Sequence, residues 1–248
     1  MNSPAPLHVV GIGPGNPAFI SPLASSAIEA SRLLIGYGLY LDLLGPELKI
    51  GKKIASTGMR HEKERCLEAI AGARSGIETA LICSGDPGIY ALASLVLELL
   101  DPADDLPVDI VAGIPAFCAA AARLGAPLTH DFACLSLSDL LTPWARIEKR
   151  AHCIFEGDFV CVLYNPRSRH RQEHLEKILE IARLYRDPSC PVGFAQNIGR
   201  TGEMTAIYTL ASFNPKIADM LSLIFIGNSE TRISGKFMLT PRGYKINA

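Results

Sequence analysis

The chain has 248 residues, 48% of them hydrophobic, with 24 lysines and arginines against 25 acidic residues and a net charge of −1. That length supports one large domain or two modest ones, each with a buried core. The near-neutral balance argues against broad electrostatic attraction to nucleic acid or anionic membranes, so neither is expected as a partner. The seven cysteines (Cys66, Cys83, Cys118, Cys134, Cys153, Cys161 and Cys190) are scattered, with no C-x-x-C pair. Such thiols act as small hydrophobes in a reducing, cytoplasmic setting. Met1-Asn2-Ser3-Pro4 has no basic segment leading into an apolar core, so no secretion signal is expected. No apolar run reaches the roughly 18–20 residues that cross a bilayer.

The first half alternates strand and helix. Leu7–Gly11 is apolar and β-rich, and Ser21–Ser31 reads as a helix with Ser21 as N-cap and Pro22 in its first turn. Arg32–Gly36 is a short strand, and His61–Arg74 has helical periodicity. Glu78–Ser84 is a strand, Ile89–Leu100 a helix and Val108–Ala112 another strand. This alternation predicts a largely parallel sheet covered by helices. From residue 113 the rhythm changes: a small-residue helix Phe117–Leu124, a strand Phe132–Ser138, a helix Trp144–His152 and an apolar strand Phe159–Tyr164. A long amphipathic helix Arg169–Tyr185 follows, with Glu173 and Lys177 spaced for an i,i+4 pair. Strands are expected at Pro191–Asn197, Met204–Thr209 and Leu221–Ile226, with a hairpin near Phe237–Leu239. The reading is therefore α/β with two domains, 1–112 on a largely parallel sheet and 113–248 on a mixed one.

Two glycine-rich turns stand where strands end. The first is Gly11-Ile12-Gly13-Pro14-Gly15-Asn16-Pro17 and the second is Ser84-Gly85-Asp86-Pro87-Gly88-Ile89-Tyr90. Open α/β sheets place ligands at the carboxyl ends of their strands, and glycine lets backbone approach a ligand closely. The first turn is not a dinucleotide fingerprint: Asn16 stands where the third glycine belongs, and the next strand ends in Ile35-Gly36-Tyr37 without an acidic residue. No Gly-Lys-Ser/Thr follows, so it is not a phosphate-binding P-loop either. Asp86 has two readings, as a helix cap or as a carboxylate presented to a polar ligand. His130, between Thr129 and Asp131, is either a solvated loop residue or an acid/base tuned near neutrality. Arg167, Arg169, His170 and Arg171 form a basic run before the long helix, where the helix dipole slightly disfavours cations. That placement makes carboxylate recognition a second reading beside a solvated helix start. No His/Cys/Asp spacing matches a zinc site and no Ser-His-Asp signature is present, so no metal is expected.

The two turns, together with Val111-Ala112-Gly113-Ile114-Pro115-Ala116, resemble the tetrapyrrole (corrin/porphyrin) methylase family. Gly36-Tyr37-Gly38-Leu39-Tyr40, the run Leu124 to Phe132, the run Ser136-Leu137-Ser138-Asp139-Leu140-Leu141-Thr142-Pro143-Trp144, and Leu163-Tyr164-Asn165-Pro166-Arg167-Ser168 resemble its branch acting on C17 of precorrin-3B. The likeness runs in order along nearly the whole chain. One departure is Ala112-Gly113-Ile114-Pro115, where the family more often has Pro-Gly-Ile-Thr/Ser. The resemblance implies two α/β domains with S-adenosylmethionine in the cleft between them, normally in a homodimer. It implies methylation at C17 of precorrin-3B with ring contraction to precorrin-4, in cobalamin biosynthesis, leaving S-adenosylhomocysteine. Cofactor contacts carried over are Pro14, Gly85, Asp86, Ile89, Ile114, Ala116 and Phe117, with Tyr164, Asn165, Asn197, Ile198, Met220 and Ser222 from the second domain. Gly13, Gly15 and Asn16 would face the macrocycle, and Arg167 and Arg169 its acetate and propionate arms. Methyl transfer from a sulfonium needs alignment rather than a nucleophile. Ring contraction needs a proton carrier, for which His130 comes first, with Asp86 and Asp139 behind it. Methylation at another corrin carbon without contraction, and a non-catalytic tetrapyrrole carrier, stand as alternatives.

Overall fold

Short β-branched and aliphatic runs bounded by glycine and proline make the strands, and the computed structural model describes residues 3–58 and 60–245. The chain divides into two units, Met1–Ala116 and Phe117–Ala248. In the first unit the strands are β1 (Leu7–Gly11), β2 (Leu33–Tyr37), β3 (Lys53–Thr57), β4 (Thr79–Cys83) and β5 (Val108–Val111). They form one sheet in the order β3-β2-β4-β1-β5, and every pairing is parallel. All five residues of β4 are buried, as expected of a strand covered on both faces.

The helices of this unit are α1 (Pro22–Ala30), α2 (Gly38–Leu41), α3 (Glu62–Arg74) and α4 (Ala93–Leu99). Ser21 accepts the Ala24 N–H at 3.1 Å, and Pro22 fills the first helical position, where its missing N–H costs nothing. Ala24, Ala27 and Ile28 of α1 pack with Val10, Leu34 and Ile82 on one face of the sheet. Cys66, Ile70 and Ala73 of α3, with Ala93 and Val96 of α4, pack with Val9, Ile35 and Leu81 on the other. Adjacent strands β1 and β4 therefore send their following helices to opposite faces. The carboxyl ends of these two strands are the topological switch point of a doubly wound sheet, the place where such folds keep their ligand crevice.

The second unit holds α5 (Ala116–Leu124), β6 (Gly125–Ala126), β7 (Phe132–Ser136), α6 (Trp144–Glu156), β8 (Val160–Tyr164) and α7 (His174–Arg183). Then come β9 (Pro191–Gln196), β10 (Met204–Thr209), β11 (Ser222–Ile226), β12 (Arg232–Ser234) and β13 (Phe237–Leu239). One sheet runs β10-β9-β11-β8-β7, with β7 and β8 parallel and the remaining pairs antiparallel; β12, β13 and β6 form a smaller one. The mixed sheet and the hairpin at Phe237–Leu239 are as expected from the sequence. Buried Arg186 ties this unit together, donating to the carbonyls of Gly227 (3.0 Å), Phe155 (2.9 Å) and Phe159 (3.2 Å) and pairing with Asp158 at 3.3 Å.

Two helix starts and one strand differ in particular from expectation. The helix placed at Ile89 begins only at Ala93, because residues 86–92 are spent on turns in which Tyr90 has φ +53°. The helix placed at Arg169 begins at His174, because Ser168 and Arg171 close a two-bond turn (3.0 and 3.2 Å) that keeps the basic run out of the helix. Strand β3 was not anticipated: it is a polar edge strand, and its Lys-Ile-Ala-Ser-Thr run carries little hydrophobic signal. Replacing Arg186 by leucine removes the donor from the Gly227, Phe155 and Phe159 carbonyls, and is expected to cost about 3 kcal/mol in urea-unfolding free energy.

Candidate active site

At the crevice of the first unit, three loops approach backbone to backbone. Gly13 and Gly85 exchange hydrogen bonds, Gly85 N–H to Gly13 C=O at 2.7 Å and Gly13 N–H to Gly85 C=O at 3.2 Å. Both have positive φ, +73° and +69°, a region most side chains avoid. A Cβ on Gly11 would stand 2.7 Å from Gly113 N, and one on Gly113 would stand 2.1 Å from Gly85 O. These contacts admit only glycine at the end of β1 and after β5, at Gly11 and Gly113, while after β4 it is the positive φ of Gly85 that favours glycine. At Gly85 itself a Cβ would meet nothing nearer than Ala116 N at 3.8 Å, so a methyl group fits there and it is the positive φ that favours glycine.

Asp86 spends both carboxylate oxygens on backbone. Oδ1 accepts the Gly88 N–H at 2.8 Å and Oδ2 accepts the Gly113 N–H at 3.0 Å. It is not the cap of α4, which starts seven residues later with Leu92 at its N-cap and no side-chain bond there. Asp86 instead staples the β4 loop to the β5 loop. Asn16 is similarly engaged, its Oδ1 capping the turn at Pro17–Phe19 through the Ala18 N–H at 2.9 Å. Gly13, Pro14 and Gly15 are buried, while Ile89 and Ile114 are about one-third exposed, at 37% and 38%, and Ala116 is half-buried. Burial pushes the Cys83 thiol at the end of β4 up to about 12, so it stays a protonated hydrophobe.

In the second unit the register gathers most candidates at one sheet edge. Ser136 pairs with Tyr164, and Ser222 with Gln196, so the ends of β7, β8 and β9 and the start of β11 meet there. Tyr164, Asn165, Asn197, Ile198, Met220 and Ser222 all lie at this edge. The Phe117 N–H donates to the Tyr164 hydroxyl at 3.3 Å, and their rings meet edge-on at 6.4 Å. Asn165 (φ +51°) donates to Ser136 Oγ at 2.9 Å, and Asn197 (φ +53°) to the Gly202 carbonyl at 3.3 Å. Ile198 is core, and buried Ser222 spends its hydroxyl on Asp219 at 2.8 Å.

His130 lies elsewhere. It precedes β7 rather than following it, so the five residues of that strand separate it from Tyr164 and Asn165 by on the order of 15 Å. There it accepts the Asp131 N–H at 2.8 Å and lines a hollow of about 230 Å³ with Asp158, Ser229 and Glu230. Within this unit, His130 and the cofactor contacts Tyr164 and Asn165 therefore stand at opposite ends of the sheet.

At the Tyr164 edge Asp139 meets Arg171 of the basic run and His174, a residue the sequence reading missed. Asp139 stands 3.8 Å from Arg171 Nη1 and 3.6 Å from His174 Nε2. His174 Nδ1 reaches the Leu137 carbonyl at 3.1 Å, and Arg171 Nη2 donates to the Asn165 carbonyl at 2.7 Å. Burial lowers the pKa of Arg171, and the Asp139 carboxylate works against that shift. The helix-dipole reading of the basic run does not hold, since Arg171 stands three residues before α7 and is buried. Arg167 donates to the Lys216 carbonyl at 3.0 Å, and Arg169 is exposed.

The family model of the tetrapyrrole (corrin/porphyrin) methylases matches residues 6–214, and the chain belongs to that family. It is 43% identical to a protein of Salmonella typhimurium named probable cobalt-factor III C(17)-methyltransferase, over 97% of this chain and 100% of that one. It is 37% identical to the precorrin-3B C(17)-methyltransferase of Sinorhizobium sp, over 96% of both chains. Among solved structures, the methyltransferase CobJ matches with a TM-score of 0.91 at 33% identity, covering 96% of this chain and 100% of that one. Among the described residues no helix is long and apolar enough to cross a membrane.

Gly113→Ala is expected to push the β5 loop off Gly85 and lower unfolding free energy by about 2–3 kcal/mol. Gly51→Ala, a positive-φ glycine with open space around it, should cost less; comparing the two by urea unfolding separates collision from backbone strain.

Proposed function

We propose that this protein transfers a methyl group from S-adenosylmethionine to C17 of precorrin-3B and contracts the macrocycle to precorrin-4, acting as a cytoplasmic homodimer in cobalamin biosynthesis. The observation that carries this reading is the pair of relatives named for transfer to C17, each matched over essentially the full length of both chains. The switch-point crevice supports the cofactor. The exposed Ile89 and Ile114 side chains beside the glycine loops suit a partly apolar ligand held through backbone groups.

When bound, S-adenosylmethionine supplies a methyl already activated on a sulfonium. Pro14, Gly85, Ile89 and Ile114 would hold it at the switch point of the first unit, and Tyr164, Asn165 and Met220 are the contacts proposed on the second unit's own edge. Asp86 acts by keeping the two glycine loops in place. What the chain contributes to methyl transfer is alignment and exclusion of water, which together remove several kcal/mol of barrier. Ring contraction requires proton movement at an oxygen beside the expelled bridge carbon. Asp139 is the proposed carrier, partly exposed at the edge that holds Tyr164 and braced by Arg171 and His174. His130 receives no role in this step. Arg167 and Arg169 are proposed to meet the carboxylate arms of the substrate.

The test is anaerobic incubation of the purified protein with S-adenosylmethionine and precorrin-3B, with cobalt-factor III in parallel, followed by product mass and absorption. The expected result is gain of one methyl with a contracted-ring spectrum on one of the two substrates. A methylated, uncontracted product would mean another ring carbon, and binding without methyl gain would mean a carrier.

A further inference from the structure

The loop between β7 and α6 carries an exposure pattern that folding does not account for. Leu140 is 74% exposed and Leu141 97% exposed, two adjacent leucines turned to solvent. Yet the loop is held at both ends. At its start the Leu137 N–H donates to the Tyr164 carbonyl at 2.9 Å, and Asp139 is braced by Arg171 and His174. At its end Trp144 stacks on His174 with ring centroids 4.4 Å apart, and Lys177 lies 5.6 Å over the indole. A single residue, His174, thus anchors both ends, so the loop presents its leucines from a fixed base.

The neighbouring segment after β8 is tied to the same base through Arg171 and the Asn165 carbonyl. It carries Arg167 and Arg169, neither of which pairs with a carboxylate among the described residues. An apolar pair beside two guanidiniums without carboxylate partners complements a ligand with a flat conjugated face and acidic arms. An anionic tetrapyrrole has both features.

We infer that the 139–143 loop is the seat for one face of the macrocycle, with Leu140 and Leu141 in contact with the ring and Arg171 and His174 as positioning residues that hold Asp139. This rests on the functional reading above. The experiment compares wild type with the L140S/L141S double variant, each saturated with S-adenosylhomocysteine so that no turnover occurs. Anaerobic titration with precorrin-3B, and in parallel with cobalt-factor III, is followed through quenching of Trp144, the one tryptophan in the chain. The expected result is a rise of about tenfold or more in the tetrapyrrole dissociation constant. S-adenosylhomocysteine affinity by calorimetry, Tm and sedimentation coefficient should stay at wild-type values, and L140M/L141M should retain tetrapyrrole affinity. An unchanged tetrapyrrole affinity in the serine variant overturns the inference while leaving the functional reading intact. So does a fall in sedimentation coefficient, which would make the leucines a contact between copies of the chain. Failure of wild type to bind either tetrapyrrole removes the functional reading, and the seat with it.

Discussion

The crevice depends on backbone meeting backbone. β1, β4 and β5 run into Gly11, Gly85 and Gly113, and at Gly11 and Gly113 the space is smaller than a methyl group. A sheet whose strand ends carried side chains at these positions would splay there. The Gly13–Gly85 hydrogen bonds and the Asp86 staple to Gly113 then convert three loops into one rigid rim. Since α1 and α4 leave β1 and β4 on opposite faces, the rim is also where the sheet opens. Glycine selection and topology place the crevice at the same point.

In the second unit, charge replaces close backbone contact. Asp139, Arg171 and His174 sit between the segments that follow β7 and β8, and the Asn165 carbonyl and the Trp144 ring are both held through them. Buried Arg171 gives up hydration to serve in this cluster, and Asp139 offsets part of that cost. The two C17-like sequence runs, Ser136 to Trp144 and Leu163 to Ser168, thereby meet in space at residues outside the obvious glycine turns.

The doubly wound sheet was legible because buried parallel strands read as continuous apolar runs, β4 above all, and because Ser21-Pro22 announces its helix. The mixed character of the second sheet was legible from its run of closely spaced strands. Helix starts were less so. Residues 89–92 and 169–171 are compatible with helix by composition, and the local Asp86–Gly88 and Ser168–Arg171 bonds, with those to Gly113 and Asn165, draw these segments into turns. His130 shows a different limit: a residue's neighbours in sequence do not tell which end of a strand it occupies. His174 was passed over because a histidine opening an amphipathic helix looks like any solvent-facing residue until Asp139 and Trp144 are found against it.

The central claim is that the glycine-built rim at the ends of β1 and β4 is the seat of the cofactor. Its most direct test is amide hydrogen exchange on the intact chain, with and without saturating S-adenosylhomocysteine. Peptides covering residues 84–90 should exchange more slowly with the ligand, while those at the opposite sheet edge of the second unit, 128–131 and 228–230, should not change. Saturable binding that leaves 84–90 unchanged would contradict the account.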